Sequence, residues 1–244
     1  MRRALVAVAA LALAVAGCSE SDTPDRDNGG KITVVADASL AGVLGALEPA
    51  FEREHAGTDV VVSYASAALA TQQINSGAAA DVFATSSATM TQVKDVTPES
   101  LGRTQLVIVV GPNNPFKIKS LADLAARKVA VCVTTAPCGT AAGTILGKAG
   151  VTLTAAAQVT DVKAALDKLT LGEADAALVF RTDALAAIGQ VDMLEFAESA
   201  QAVTDFTAAV LPAASNPAGA KAFLAFLTSA QGHAAIEEAG FALP

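Results

Sequence analysis

From Lys31 onward, short β-branched runs alternate with segments whose apolar residues recur at helical spacing, and this alternation confines the chain to an α/β architecture. Ile32-Thr33-Val34-Val35-Ala36 reads as a first strand. The helix after it carries Leu40, Val43, Leu44, Leu47 and Phe51 on one face. Further strands are expected over residues 60–64, 81–84, 106–110, 129–133, 176–180 and 206–211, with helical segments between most of them. Helix starts fall at Asp37-Ala38-Ser39, at Pro137-Cys138-Gly139-Thr140 and at Thr160-Asp161, each offering cap or small residues to a first turn. Asn216 followed by Pro217 opens a closing helix through Phe223, Phe226 and Leu227.

Ahead of this region, Met1-Arg2-Arg3 precedes an apolar run from Ala4 to Ala16, the positive and hydrophobic parts of a secretory signal. The run is shorter than the roughly 20 apolar residues that a bilayer-spanning helix needs. It closes in Val15-Ala16-Gly17-Cys18, which resembles the lipobox of bacterial lipoproteins. Residues 1–17 are therefore expected to be removed, leaving Cys18 to carry the acyl chains that anchor the protein to the membrane, outside the cytoplasm. Residues 18–30 combine charges, Pro and Gly and read as a flexible tether. Two lobes account for the rest. The breaker-rich Val110-Gly111-Pro112-Asn113-Asn114-Pro115 follows an apolar strand and marks a crossing, and a return is placed near Thr204. Lobe 1 is then residues 31–109 plus 205–244, and lobe 2 is residues 110–204.

The formal charge of the full chain is −8, and removing Arg2 and Arg3 with the signal leaves 14 basic against 24 acidic residues, or −10. Nucleic acid is not expected as a partner. An anionic ligand gains nothing from this overall field, so an anion site has to rest on local donors.

Enzyme templates are nearly empty. Histidine, the usual general base, occurs only at His55 and His233, both in polar surroundings, and two distant histidines do not make a zinc site. Phosphate-binding Gly-Lys-Ser/Thr loops, Gly-x-Ser-x-Gly elbows and Gly-x-Gly-x-x-Gly turns are missing from the sequence. There is no tryptophan, and Tyr64 is the only tyrosine, which argues against sugar stacking and ferric-iron binding. No catalytic residue and no cofactor is expected. Cys132 and Cys138, a pair in an exported chain, read as a disulfide, with two free thiols as the alternative; a thiol–disulfide redox protein is a remote reading of the same pair. What is enriched is Ser, Thr, Ala and Gly at strand-to-helix turns, where unpaired N–H groups and the helix dipole attract anions.

The segments KITVVADASL from Lys31, SYASAALATQQINSGAAADVFATSS from Ser63, APCGTAAGTIL from Ala136 and DVKAALDKLTLGEADAALVFRTDA from Asp161 resemble the molybdate-binding proteins of ABC importers, the ModA family. So does AKAFLAFLTSAQGHAAIEEAGF near the end; the Cys-containing turn looks like that of actinobacterial members. The resemblance spans nearly all of the chain after the tether. It implies a type II periplasmic-binding-protein fold, two α/β lobes with a ligand cleft between them, and a monomer that delivers molybdate or tungstate to an importer permease and its ATPase. It also implies the site. The first-turn serine of the family falls on Ser39. Its second serine falls on Ser66 when the alignment is anchored on Leu69-Ala70, and on Ala67 when it is anchored on Gln73-Ile74. Backbone donors fall on Cys138 and Val162, and the position of a hydroxyl-donating tyrosine falls on Phe180. Arg181, next to it, reads as a surface residue on the opposite strand face. A site of donors alone, with no carboxylate, is expected to reject protonated phosphate and accept a dianion; sulfate or a small organic acid is the alternative ligand.

Overall fold

The computed structural model describes residues 29–244, so the signal over 1–17, the lipidated Cys18 and the tether as far as residue 28 lie outside the described residues. The chain opens with β1 (Gly30–Asp37), α1 (Ala41–Glu54), β2 (Thr58–Ala65), α2 (Ala67–Asn75), β3 (Val82–Ser86), α3 (Ser87–Met90) and β4 (Glu99–Thr104). It continues through β5 (Leu106–Val110), β6 (Lys128–Cys132), α4 (Pro137–Ala149), β7 (Ala155–Val159), α5 (Val162–Thr170), β8 (Ala176–Phe180), α6 (Arg181–Ala186) and β9 (Asp192–Leu194). β10 (Thr204–Val210), α7 (Pro217–Leu227) and α8 (Ala230–Glu238) close it.

These elements build two five-stranded sheets with the same plan, ordered β2-β1-β3-β10-β4 and β7-β6-β8-β5-β9. In each, a strand pairs in parallel with two neighbours, and a strand from the other side of a crossing joins antiparallel. The arrangement is a type II periplasmic-binding-protein fold. The central strands β3 and β8, and β5 beside β8, are buried along their whole length, as apolar strands covered by helices on both faces must be. Edge strand β2 instead leaves Val61 and Tyr64 exposed.

The first crossing differs from its expected place. β5 is hydrogen-bonded to β8 and β9 in the second sheet, so the chain changes lobe at Gln105, five residues before the predicted boundary. The breakers over 110–115 serve a local turn in which Asn113 and Asn114 take positive φ. The true crossing is extended and needs no punctuation, which is why no signal marks it. Strands β4, β7 and β9 were not anticipated either. Ala155-Ala156-Ala157-Gln158-Val159 is an exposed edge with almost no β-branched content, and β4 bends at a register shift opposite Phe206 and Thr207.

Aromatic rings tie the lobes together. Phe180 at the end of β8 meets Phe206 of β10 edge-on, with ring centroids 5.6 Å apart, and Phe206 meets Phe241 in the same manner at 5.8 Å. Each such pair contributes about 0.5–1.5 kcal/mol beyond the area it buries. A second group, Phe51 with Phe223 and Phe226, packs α1 against α7 under the first sheet.

Candidate functional site

The register of the parallel strands sets the site's geometry. Asp37 pairs with Ala65, so the turn carrying Ser39 after β1 and Ser66 after β2 emerge side by side. In the second sheet Cys132 pairs with Val159, and the amide of Val133 donates to the carbonyl of Val159 at 2.8 Å, so the turns leading to Cys138 and Val162 emerge side by side as well. All four lie at the carboxyl ends of parallel strands, where open α/β sheets bind ligands. α5 packs on the single 3-10 turn formed by Ala38–Leu40, which brings the start of the Val162 helix against Ser39 across the lobes.

The donors at these turns are not all spent on capping. Ser66 caps α2 by accepting from the amide of Leu69 at 3.5 Å, which leaves its hydroxyl proton free to be donated. Ala67, the alternative to Ser66, is buried in the first turn of α2 and has no side-chain donor. Ala136 caps α4 without a side-chain bond, and the first helical amide bond runs from Thr140 to Ala136, so the amides of Cys138 and Gly139 are not used by the helix. Gly139 is required there: a Cβ would lie 1.9 Å from the carbonyl oxygen of Val133. Asp161 caps α5 by accepting from Ala164 at 3.0 Å, leaving the amide of Val162 outside the helical ladder. Cys132 and Cys138 form a disulfide with Cα atoms 5.7 Å apart, pinning the start of α4 to the end of β6.

Two hollows open between the lobes here. The larger, about 810 Å³, is bordered by Ala67, Thr71, Ser86 and Thr89 from the first lobe and by Thr134 and Pro137 from the second. Ser66 and Cys138 adjoin it through their neighbours Ala67 and Pro137. The smaller, about 330 Å³, is bordered by Ser39, Thr182, Asp183 and Glu238. The five residues singled out in the sequence thus do not share one open hollow. Ser39 lines the smaller, and Val162 is buried at the seam. Phe180 lies fully buried behind the site and has no hydroxyl to offer.

Arg181 is not on a strand face but is the first residue of α6; its guanidinium reaches Glu195 at 3.1 Å and the Gly240 carbonyl at 3.4 Å. His55 lies away from these turns, stacked on Phe51 with ring centroids 4.0 Å apart. Among the described residues no group of three His, Cys, Asp or Glu is placed to hold a metal ion. Ser86 and Thr182 were missed. Ser86 ends β3 and donates to the Thr89 hydroxyl at 2.9 Å, and the run Thr85-Ser86-Ser87 after a strand was the available signal.

Two carboxyls lie buried close to the seam, next to residues expected to form a site of donors alone. Asp37 is 2% exposed; its Oδ1 accepts from the Ser39 amide at 2.9 Å, and its buried Oδ2 has no partner among the described residues. Burial raises its pKa, and the charge of Asp161 adds to this against the hydrogen bonds from Ser39. Asp183 on α6 also has a buried, unpartnered Oδ2. Its carboxyl is pushed well above the usual range by burial, and then by Asp37 and Asp161. Asp37 reads from the sequence as an ordinary cap; its burial at the seam comes from the second lobe closing over it.

Residues 32–242 match the family model described as bacterial extracellular solute-binding protein. The molybdate-binding protein ModA of Mycobacterium tuberculosis (strain ATCC 25618 / H37Rv) is 34% identical over 223 residues, covering 87% of this chain and 85% of the relative. That of Escherichia coli (strain K12) is 30% identical over 257 residues, covering 98% and 97%. Among solved structures, the Azotobacter vinelandii periplasmic molybdate-binding protein superposes with a TM-score of 0.77 at 19% identity, over 87% of this chain and 99% of the other. The sulfate-binding protein SubI from Mycobacterium tuberculosis H37Rv gives 0.75 at 18% identity, over 87% and 86%. At these identities the two structures bear on the fold alone.

Proposed function

The chain belongs to the bacterial extracellular solute-binding protein family, among its ModA-like members, and from that premise we propose that it captures molybdate or tungstate outside the cytoplasm. It hands the oxyanion to the permease and ATPase of an ABC importer. One observation supports the reading: the starts of α2 in one lobe and of α4 and α5 in the other leave donors unused at the carboxyl ends of parallel strands, beside the seam between the lobes. Such helix starts hold an anion through N–H groups and partial positive charge, without a basic residue. In this reading the Ser39 and Ser66 hydroxyls and the Cys138 and Val162 amides contact the oxyanion's oxygens. Phe180 contributes packing and lacks the tyrosine hydroxyl. That missing donor weakens binding by about 1.5–3 kcal/mol if nothing replaces it.

Because the contacts come from both lobes, ligand stabilises a closed arrangement by differential affinity, and the importer reads closure. Thermal unfolding of the purified protein with molybdate, tungstate, sulfate and phosphate tests the assignment. A rise in Tm confined to the first two supports it, and silence toward all four defeats it. Small-angle scattering should show a smaller radius with saturating molybdate. Attachment through Cys18 belongs to the same reading. Replacing Cys18 with serine should release the protein from the membrane fraction, and unchanged retention would remove the anchor from the account.

A second reading, an oxyanion that keeps a proton, such as phosphate, is favoured by Asp37, whose free oxygen can accept from it. A response to phosphate alone in the same unfolding series would select it.

A further inference from the structure

Asp37 ends β1 two residues before Ser39, so its carboxyl is buried against the turn that the proposed site uses, next to the hollow that Ser39 lines. One oxygen is held by the Ser39 amide; the other is buried and bare. The charged groups around it are known from each packed element. α5 brings Asp161, whose Oδ1 is committed to the Ala164 amide, while Lys163 is exposed and paired with Asp167. α6 brings Asp183 with its own bare oxygen, and Arg181, which is committed to Glu195 and Gly240. α8 brings Glu238, on the wall of the hollow shared with Ser39 and Asp183, and α1 contributes only Gly42, Val43 and Ala46 to that wall. Among the described residues no lysine or arginine lines this hollow, and no three carboxyls are grouped closely enough to hold a metal ion.

A doubly negative guest entering beside Ser39 therefore approaches Asp183 and Glu238 on the wall and Asp37 sealed behind Ser39, with no lysine or arginine of the described residues on that wall to neutralise them. The remaining source of neutralisation is a proton. We propose that Asp37 is a ligand-contacting, specificity-determining residue of the site: the Asp37 carboxyl and the captured oxyanion share one proton, in a hydrogen bond from Oδ2, so that binding is accompanied by proton uptake. The bond supplies a donor that Phe180 cannot. The proposal rests on the oxyanion-binding reading and deepens it.

The sign follows from linkage. Burial raises the Asp37 carboxyl in the free protein, and the anion raises it further. Affinity is therefore greatest at pH below the free-protein value and falls by up to about tenfold per pH unit between the free and bound values. Molybdate itself stays a dianion between pH 6 and 8.5, so it does not contribute to the trend. Calorimetric titration of molybdate over roughly that range should show binding to the natural protein weakening by about tenfold or more toward the alkaline end. Asp37→Asn keeps an acceptor for the Ser39 amide and a donor for the ligand without a titrating proton. Its affinity should vary by no more than about threefold over the same range, and at the alkaline end it should match or exceed that of the natural protein.

Titrations of the natural protein in buffers of different ionisation enthalpy count the proton directly, whether or not the variant folds. Uptake approaching one proton per molybdate near neutral pH supports the proposal, provided Asp183→Asn retains it. Zero uptake, a flat affinity profile, or loss of uptake in Asp183→Asn while Asp37→Asn keeps it would overturn the role of Asp37 and leave molybdate capture standing. Failure to bind any of the four oxyanions at any pH would overturn both.

Discussion

Replacing Phe180 with tyrosine separates the two roles that this position can have. The side chain is 0% exposed and sits edge-on to Phe206, 5.6 Å between ring centroids and 87° between planes, in the aromatic column that joins β8 to β10. A hydroxyl added there without a partner costs about 1–3 kcal/mol of desolvation. For a chain of this size that corresponds to a fall in Tm of about 2–4 °C per kcal/mol. If the ring edge faces the oxyanion, the same hydroxyl becomes a charge-assisted donor contributing about 1.5–3 kcal/mol, which at about 1.4 kcal/mol per decade is a gain of roughly ten- to a hundredfold in affinity. The expected result of scanning calorimetry with and without saturating molybdate is thus a destabilised free protein whose ligand-induced rise in Tm exceeds that of the natural chain. A variant that is destabilised and gains no affinity would refute the placement of Phe180 beside the ligand, leaving it as a packing residue of the crossing. A variant with unchanged Tm in both conditions would refute the argument that the ring is sealed from solvent.

Two further substitutions test the local structure. Gly139→Ala forces a Cβ to within 1.9 Å of the Val133 carbonyl oxygen, so the turn must move; a loss of about 1–3 kcal/mol in urea unfolding is expected, together with weakened oxyanion binding, and an unchanged midpoint would contradict the packing at the start of α4. Asp81 lies buried between β3 and the approach to α7; burial works to raise its pKa, but the amides of Thr33 at 2.7 Å and Asn216 at 2.8 Å, with the Ser215 hydroxyl at 3.0 Å, hold it below the usual range. A lowered folded-state value means that its contribution is present above the unfolded pKa of about 3.9 and is lost as pH falls through the folded one. Asp81→Asn should therefore cost about 2–3 kcal/mol at neutral pH and flatten the stability profile below about pH 4 in acid-denaturation curves, whereas a variant that loses stability in parallel with the natural chain would remove Asp81 from the acid transition.

Features that depend on near neighbours were open to reading from the residues. The helix after β1 was expected from the spacing of Leu40, Val43, Leu44, Leu47 and Phe51, and all five are buried in α1 or the turn that opens it. Asn216 caps α7 through the Gly219 amide, as its position before Pro217 suggested. The Cys132–Cys138 pair, six residues apart, is bonded. By contrast, Thr182 borders an interlobe hollow without any periodicity or motif pointing to it, and Ser86 borders the other with only the run Thr85-Ser86-Ser87 as a local signal. The crossing at Gln105 lies inside a continuous extended stretch, and alanine-rich β7 draws its strand character from pairing with β6.

What this sequence determined alone was which segments become strands and helices, where most helices begin, and which backbone amides those beginnings leave unpaired, because backbone sterics and capping act within a few residues. Only the tertiary structure decided which of those ends face one another and what lies between them. Asp37 shows the difference. As a cap residue it has the same local role on any helix, but it is buried at a seam where α5, well over a hundred residues further along the chain, packs on the turn after β1. The free energy of a buried carboxyl depends on the solvent excluded around it, and that exclusion is a property of the assembled lobes.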